Sequence, residues 1–296
     1  MFRLAHVTDP HFRGFAGLSL GDFLGKRVVG GLNLVVNRTR KHKMRLLDAL
    51  REDLRAQAVD HVALTGDLSN ISIEAEFRSA LAWLAALGAP PEAVTVIPGN
   101  HDTYVQEVVD SGVFERLFAP YQTRDLDGSG EAYPFVRVRG DVALVGVTSS
   151  VATGDLGAWG EMGAAQLARL ERTLAEPALA GKTRVLLIHH PPVAIKPGEH
   201  RNLRDRAALV EVLARAGAEL VIHGHDHADE RATLAGPGGA RIPVVGAGSA
   251  SYAGAADRRS RYNVYEIDGR RITCVVRAHD EATDRFREYA REALAD

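Results

Sequence analysis

Sulfur is scarce in this chain, and so is any excess of charge. One cysteine, Cys274, among 296 residues excludes an internal disulfide, so folding needs no oxidising compartment. Cys274 reads as a small buried apolar residue in a strand over 272–276. No apolar run approaches the roughly 20 residues of a membrane-spanning helix, and the opening MFRLAHVTDP lacks the apolar core of a signal peptide. A cytoplasmic protein is therefore expected. The formal net charge of −2 offers no general attraction for a phosphate backbone, which argues against nucleic acid as a partner. A hydrophobic share of 46% with 25% charged residues is an ordinary globular balance, and the length suits a single domain spanning 1–296.

Strand and helix patterns alternate along the sequence. Short apolar runs at 3–8, 61–65, 94–97, 184–189 and 219–223 predict strands, each ending in a turn. Helices are predicted at 44–57, where Leu46, Leu47, Leu50 and Leu54 share one face, and at 74–87, 164–175 and 203–216. A hairpin is expected at 133–147, and strands at 242–245, 261–267 and 270–277. Residues 281–295 read as a charged terminal helix. Alternating βα units with added hairpins predict an α/β layered sandwich.

Residues 13–43 interrupt the pattern between the first strand and the first helix, too long for an ordinary βα loop. From 13 to 45 the chain carries eight Lys/Arg against one acid, Asp22, mixed with apolar residues. The segment starts directly after His11. It is either a packed excursion with a solvated basic edge or a lid offering an apolar, cationic surface to an amphiphilic substrate or a lipid face.

Five clusters of metal-binding side chains each follow a predicted strand: Asp9-Pro10-His11, Gly66-Asp67, Gly99-Asn100-His101-Asp102, His189-His190-Pro191-Pro192 and His223-Gly224-His225-Asp226-His227. Ligand sites in open α/β sheets form at the carboxyl ends of strands, and all five clusters meet that condition. Any one of them alone is a weak signal, since Gly-Asp after a strand is commonly a turn. Their joint order is specific. Imidazole, carboxylate and amide oxygen without thiolate favour Mn²⁺, Fe²⁺ or Zn²⁺. Gly66, Gly99 and Gly224 precede ligands where the chain must turn off a strand close to the ions. The remaining histidines read differently: His6, His190 and His223 as buried and hydrogen-bonded, and His42, His61, His200 and His279 as surface residues.

The order D-x-H, GD, GNH(D/E), H, GHxH resembles that of calcineurin-like metallophosphoesterases, with every element present from Asp9 to His227. The cyclic-nucleotide phosphodiesterase branch is the nearest in character. The resemblance implies a four-layer αββα sandwich and a centre of two divalent cations. It also implies the roles: Asp9, His11 and His227 on one cation, Asn100, His189 and His225 on the other, and Asp67 between them. His101 would sit beside the scissile phosphate, with Asp102 orienting it. Hydrolysis would proceed by attack of a metal-bridging hydroxide, without a covalent intermediate. Two such cations outweigh Asp9, Asp67 and the hydroxide in charge, so the site should attract a phosphate anion.

The expected activity is hydrolysis of a small phosphodiester or nucleotide-type substrate. The alternative is pyrophosphate hydrolysis on a lipid-linked sugar nucleotide such as UDP-2,3-diacylglucosamine. There, 13–43 would be the lid and would make peripheral membrane contact. A catalytically idle metal-bound scaffold is disfavoured, because no ligand position is missing.

Overall fold

Apolar runs bounded by glycine and proline become the strands of this protein. Its computed structural model describes residues 1–14, 41–126, 130–153, 157–193, 200–254 and 258–295. In chain order the elements are β1 (Phe2–Val7), α1 (Met44–Ala56), β2 (His61–Thr65), α2 (Glu74–Leu87), β3 (Val94–Ile97), α3 (Gln106–Ser111) and α4 (Val113–Phe118). There follow β4 (Phe135–Arg139), β5 (Val142–Gly146), α5 (Ala164–Leu174), β6 (Thr183–Leu187), α6 (Arg206–Ala216) and β7 (Leu220–His223). The chain closes with β8 (Glu230–Ala235), β9 (Arg241–Gly246), β10 (Arg261–Asp268), β11 (Arg271–Asp280) and β12 (Arg285–Ala295). Most of 13–43, namely 15–40, lies outside the described residues, so the lid reading is carried no further.

Among the described residues the strands form two six-stranded sheets, ordered β12-β11-β10-β1-β2-β3 and β4-β5-β6-β7-β9-β8. Strands β1, β2 and β3 run parallel, as do β5, β6, β7 and β9. Successive residues point to opposite faces, and both faces are buried. In β2, Val62 and Leu64 meet the helices while Ala63 meets the other sheet. Leu4, Ile97, Leu144, Val185, Ile222 and Cys274 fill the space between the sheets. Helices α1, α2 and α4 cover the first sheet, and α5 and α6 cover the second. The result is the expected four-layer αββα sandwich. No helix among the described residues is long and apolar enough to cross a membrane.

One element was misread. Residues 285–295 form a strand, not a helix, pairing antiparallel with β11 and extending the first sheet to its edge. RFREYAREALA has good helix formers, but β11 presents an open row of backbone groups. Phe286 anchors the pairing, buried against Tyr262 and His279. Tertiary pairing overrides a weak local preference.

Asp53 on α1 ties that helix to the sheet beneath it. Its carboxylate accepts from Arg277 Nη2 at 2.8 Å, and also from Arg277 Nε and the Tyr262 hydroxyl. The pair is nearly buried. Asp53→Ala leaves a buried guanidinium without its carboxylate, and should lower the unfolding free energy by about 3 kcal/mol, measured by urea titration.

Three histidines read as surface residues, His42, His61 and His279, are buried. His61 Nε2 pairs with Thr95 Oγ1 at 2.7 Å, and burial, aided by Arg137, pushes the imidazole down to about 3. In the fold it is neutral, whereas in the unfolded chain it takes a proton below pH 6.5. Its contribution is complete above that pH and declines as pH falls toward 3. His61→Gln should therefore flatten the acid loss of stability by about 1.4 kcal/mol per pH unit below pH 6, read from urea titrations of both proteins.

Candidate metal centre

Parallel strands bring all five clusters to one edge of the sandwich. β1, β2 and β3 deliver Asp9, Asp67 and Asn100, and β6 and β7 deliver His189 and His225. Hydrogen bonds lock the exits together. Asp9 N–H donates to the Gly66 carbonyl (3.1 Å), Gly224 N–H to the His189 carbonyl (3.1 Å), and Ala250 N–H to the Thr8 carbonyl (2.9 Å). His189 Nδ1 reaches the Thr65 carbonyl at 2.7 Å, spanning the two sheets.

The backbone at these exits is strained. Asp9 (φ 50°), His11 (48°), Asp67 (55°), His225 (74°) and His227 (53°) all occupy the left-handed region. That region costs a residue with a Cβ roughly 1–2 kcal/mol. Such strain persists only where its surroundings over-determine it, and it gathers at functional sites. Here it turns five of the seven candidate ligands back toward one cleft. Space is equally tight. A Cβ on Gly99 would lie 2.3 Å from Asp67 Oδ1, and one on Gly224 would lie 1.9 Å from Thr8 Oγ1 and 2.6 Å from Asp9 Oδ2. Only glycine fits at these two places.

The candidate ligands lie in two neighbouring groups. Asp9, His11, Asp67 and His227 place ligand atoms within 4.8 Å of one another. His11 Nε2 lies 3.1 Å from His227 Nε2 and 3.9 Å from Asp67 Oδ2. In the second group, His189 Nε2 (3.1 Å) and His225 Nδ1 (2.9 Å) both face Asn100 Oδ1. Asp67 stands between the groups, with Oδ1 3.4 Å from His189 Nε2. His190 joins the second cluster by proximity. Its nitrogens are engaged by Ser149 Oγ (2.8 Å) and the Ala158 carbonyl (3.1 Å), so its place is structural.

These donors fit divalent cations. Asp9 Oδ1 is buried 3.1 Å from His227 Nε2, yet outside hydrogen-bonding geometry. Ring nitrogens face one another, which neutral imidazoles avoid unless a proton or a cation lies between them. Burial, with Asp9 and Asp102 nearby, pushes Asp67 up to about 8 against the pull of His189. His227 holds Asp9 below the usual carboxylate range despite burial. Burial and the neighbouring His190 and His189 keep His225 neutral. A neutral imidazole such as His225 offers its lone pair to a cation directly, and a protonated buried carboxyl such as Asp67 would bind one with release of its proton to solvent.

His101 lines the cleft with Asp67, Asn100, His225, His227, Arg201, Tyr252 and Arg258, enclosing about 440 Å³. The expected orienting role of Asp102 is corrected. His101 Nδ1 pairs with the Asn70 carbonyl at 2.6 Å. Asp102 instead accepts from the N–H groups of Leu68 (3.1 Å), Ser69 (2.8 Å) and Gly99 (2.9 Å). It ties the Asp67 turn to the Asn100 turn. The loop carrying Asn70 is held in turn by buried Glu76, which accepts from Asn70 N–H (3.1 Å) and Ile71 N–H (3.0 Å). The reading of residue types passed over Glu76, whose only signal is an acid in the first turn of α2. Arg258 and Tyr252 were missed too, because no local pattern marks them.

The family model for calcineurin-like phosphoesterases matches residues 2–229. The chain belongs to the calcineurin-like phosphoesterase family. Membership places it among metal-dependent phosphoric ester hydrolases. A cAMP/cGMP dual specificity phosphodiesterase from Mycobacterium tuberculosis is 28% identical over 256 residues, covering 84% of this chain and 67% of that protein. A probable cyclic nucleotide phosphodiesterase from Synechococcus is 27% identical over 192 residues, covering 59% of this chain and 60% of that protein. The chain thus spans 60–67% of these relatives' length. A dimetal phosphatase from Danio rerio superimposes with a TM-score of 0.63 at 15% identity, over 98% of this chain and 99% of that one. A purple acid phosphatase from yellow lupin gives 0.59 at 15% identity, over 99% of this chain and 53% of that one. These two likenesses establish the shared fold.

Proposed function

We propose that this phosphoesterase hydrolyses a small phosphodiester of the cyclic-nucleotide type at a two-cation centre. Asp9, His11 and His227 would hold one cation, Asn100, His189 and His225 the other, and Asp67 both. The observation that carries this reading is the gathering of these seven side chains at the ends of the two sheets, with Asp67, Asn100, His225, His227 and His101 lining one open cleft. The curated relatives, both described as cyclic nucleotide phosphodiesterases, support the substrate class. Two divalent ions of the Mn²⁺, Fe²⁺ or Zn²⁺ type, when bound, supply Lewis acidity that makes water nucleophilic and neutralises phosphoryl oxygens.

The protein's own groups do the rest. Arg201 and Arg258 line the same cleft and place fixed positive charge where an anionic ester enters. His101 donates its Nδ1–H to the Asn70 carbonyl, which fixes the ring; as the doubly protonated imidazolium it would give its Nε2 proton to the departing oxygen and end neutral with Nδ1–H retained. Asp102 and Glu76 keep that geometry by holding backbone N–H groups. When the P–O bond of an alkyl diester breaks, the leaving oxygen departs as an alkoxide, for which a positioned acid matters most.

The test is a panel on protein reconstituted with Mn²⁺, comprising cyclic AMP and cyclic GMP, linear diesters, phosphomonoesters, and nucleotide pyrophosphates including a detergent-dispersed lipid-linked sugar nucleotide. The reading expects the highest kcat/KM on the diesters, with cyclic nucleotides among the leading substrates. A clear preference for the lipid-linked pyrophosphate, or for monoesters, would overturn it.

A further inference from the structure

We propose that His42 is a further protein ligand of the cation held by Asp9, His11 and His227, an inference that rests on the two-cation reading above. His42 is 4% exposed. Its ring packs edge-on against His11 (centroids 4.7 Å apart) and His227 (5.6 Å). One ring nitrogen from each of the three lies within 4.8 Å of the other two. Three imidazoles gathered this closely in a buried place repel when protonated, and desolvate their lone pairs when neutral. A cation between them removes both costs.

The ring is held as a ligand's ring is held. Ser251 Oγ lies 2.8 Å from His42 Nδ1. This is the outer-shell contact that commonly fixes a ligating imidazole and directs its other nitrogen to the metal. The backbone is clamped as well. His42 and Tyr252 form an antiparallel bridge, Lys43 N–H donates to the Ser251 carbonyl at 2.9 Å, and Ala253 N–H to the Lys41 carbonyl at 2.6 Å. Arg13, two residues beyond His11, donates to the His42 carbonyl. Both ends of the 13–43 segment are therefore anchored beside the same cation site, and His42 links the far end to it directly.

The experiment is Co²⁺ titration of metal-free full-length protein, followed by calorimetry and by the visible d–d absorption of the bound ion. Wild type should take up two ions per chain. His42→Ala should lower affinity at one site by at least tenfold and change that site's absorption, leaving the other site as it was. Ser251→Ala, which keeps the ring but frees it, should give a smaller loss at the same site. Two sites of wild-type affinity and unchanged spectra in both variants would overturn the role of His42 while leaving the two-cation centre intact. Uptake of fewer than two ions by wild type would overturn the two-cation reading itself, and this inference with it.

Discussion

Asp67→Ala should lower kcat/KM by about a thousandfold or more on every ester the enzyme cleaves. Asp67 is the carboxylate that faces both ligand groups, 3.9 Å from His11 and 3.4 Å from His189. On the two-cation reading, neither cation would keep its place without it. Each factor of ten in rate corresponds to about 1.4 kcal/mol, and a cation clamp on the phosphoryl group is worth several. Asn100→Ala should be comparably damaging, because Asn100 Oδ1 is where His189 and His225 meet. Metal content measured beside the kinetics separates the two effects expected, loss of ions and loss of rate. Asp67→Asn serves as the fold control, since asparagine tolerates the left-handed backbone found there. Full activity with fewer than two ions bound would contradict the assignment.

The second large effect concerns His101. His101→Ala should reduce kcat by roughly a hundredfold to ten-thousandfold on an alkyl diester, and far less on a nitrophenyl diester, whose leaving group needs no proton. Equal losses on both would assign His101 to binding the phosphate and not to proton delivery. Asp102→Ala should behave otherwise. It strips three buried N–H groups, those of Leu68, Ser69 and Gly99, of their acceptor, so it should appear first as lost stability, by about 3 kcal/mol or more. Comparing thermal unfolding with the leaving-group dependence of the two variants tells a proton donor from a scaffold.

Much of the candidate site was legible because its residues are written at strand ends. A strand buried on both faces is a short apolar run, and a candidate ligand follows its end within three residues. Asp9, Asp67, Asn100, His189 and His225 are all of this kind. Legibility failed where a residue's role depends on a distant partner. The Asn70 carbonyl that holds His101 is backbone, and no residue type announces it. Glu76 looked like a helix-terminal acid, yet it is buried, and burial pushes it up to about 7. His42 lay within a run of lysines and arginines that reads as a solvated edge.

The sequence by itself determined which donor atoms this protein can offer to cations, their order along the chain, and the sandwich that carries them, because apolar period and turn chemistry are local properties. Only the tertiary structure decided that 285–295 is a strand, that Asp102 binds backbone instead of His101, and that His42 packs against His11 and His227 beside Ser251. Each of those outcomes is settled by hydrogen-bond partners and burial contributed from elsewhere in the chain, and such free energies outweigh the preferences any short segment carries alone.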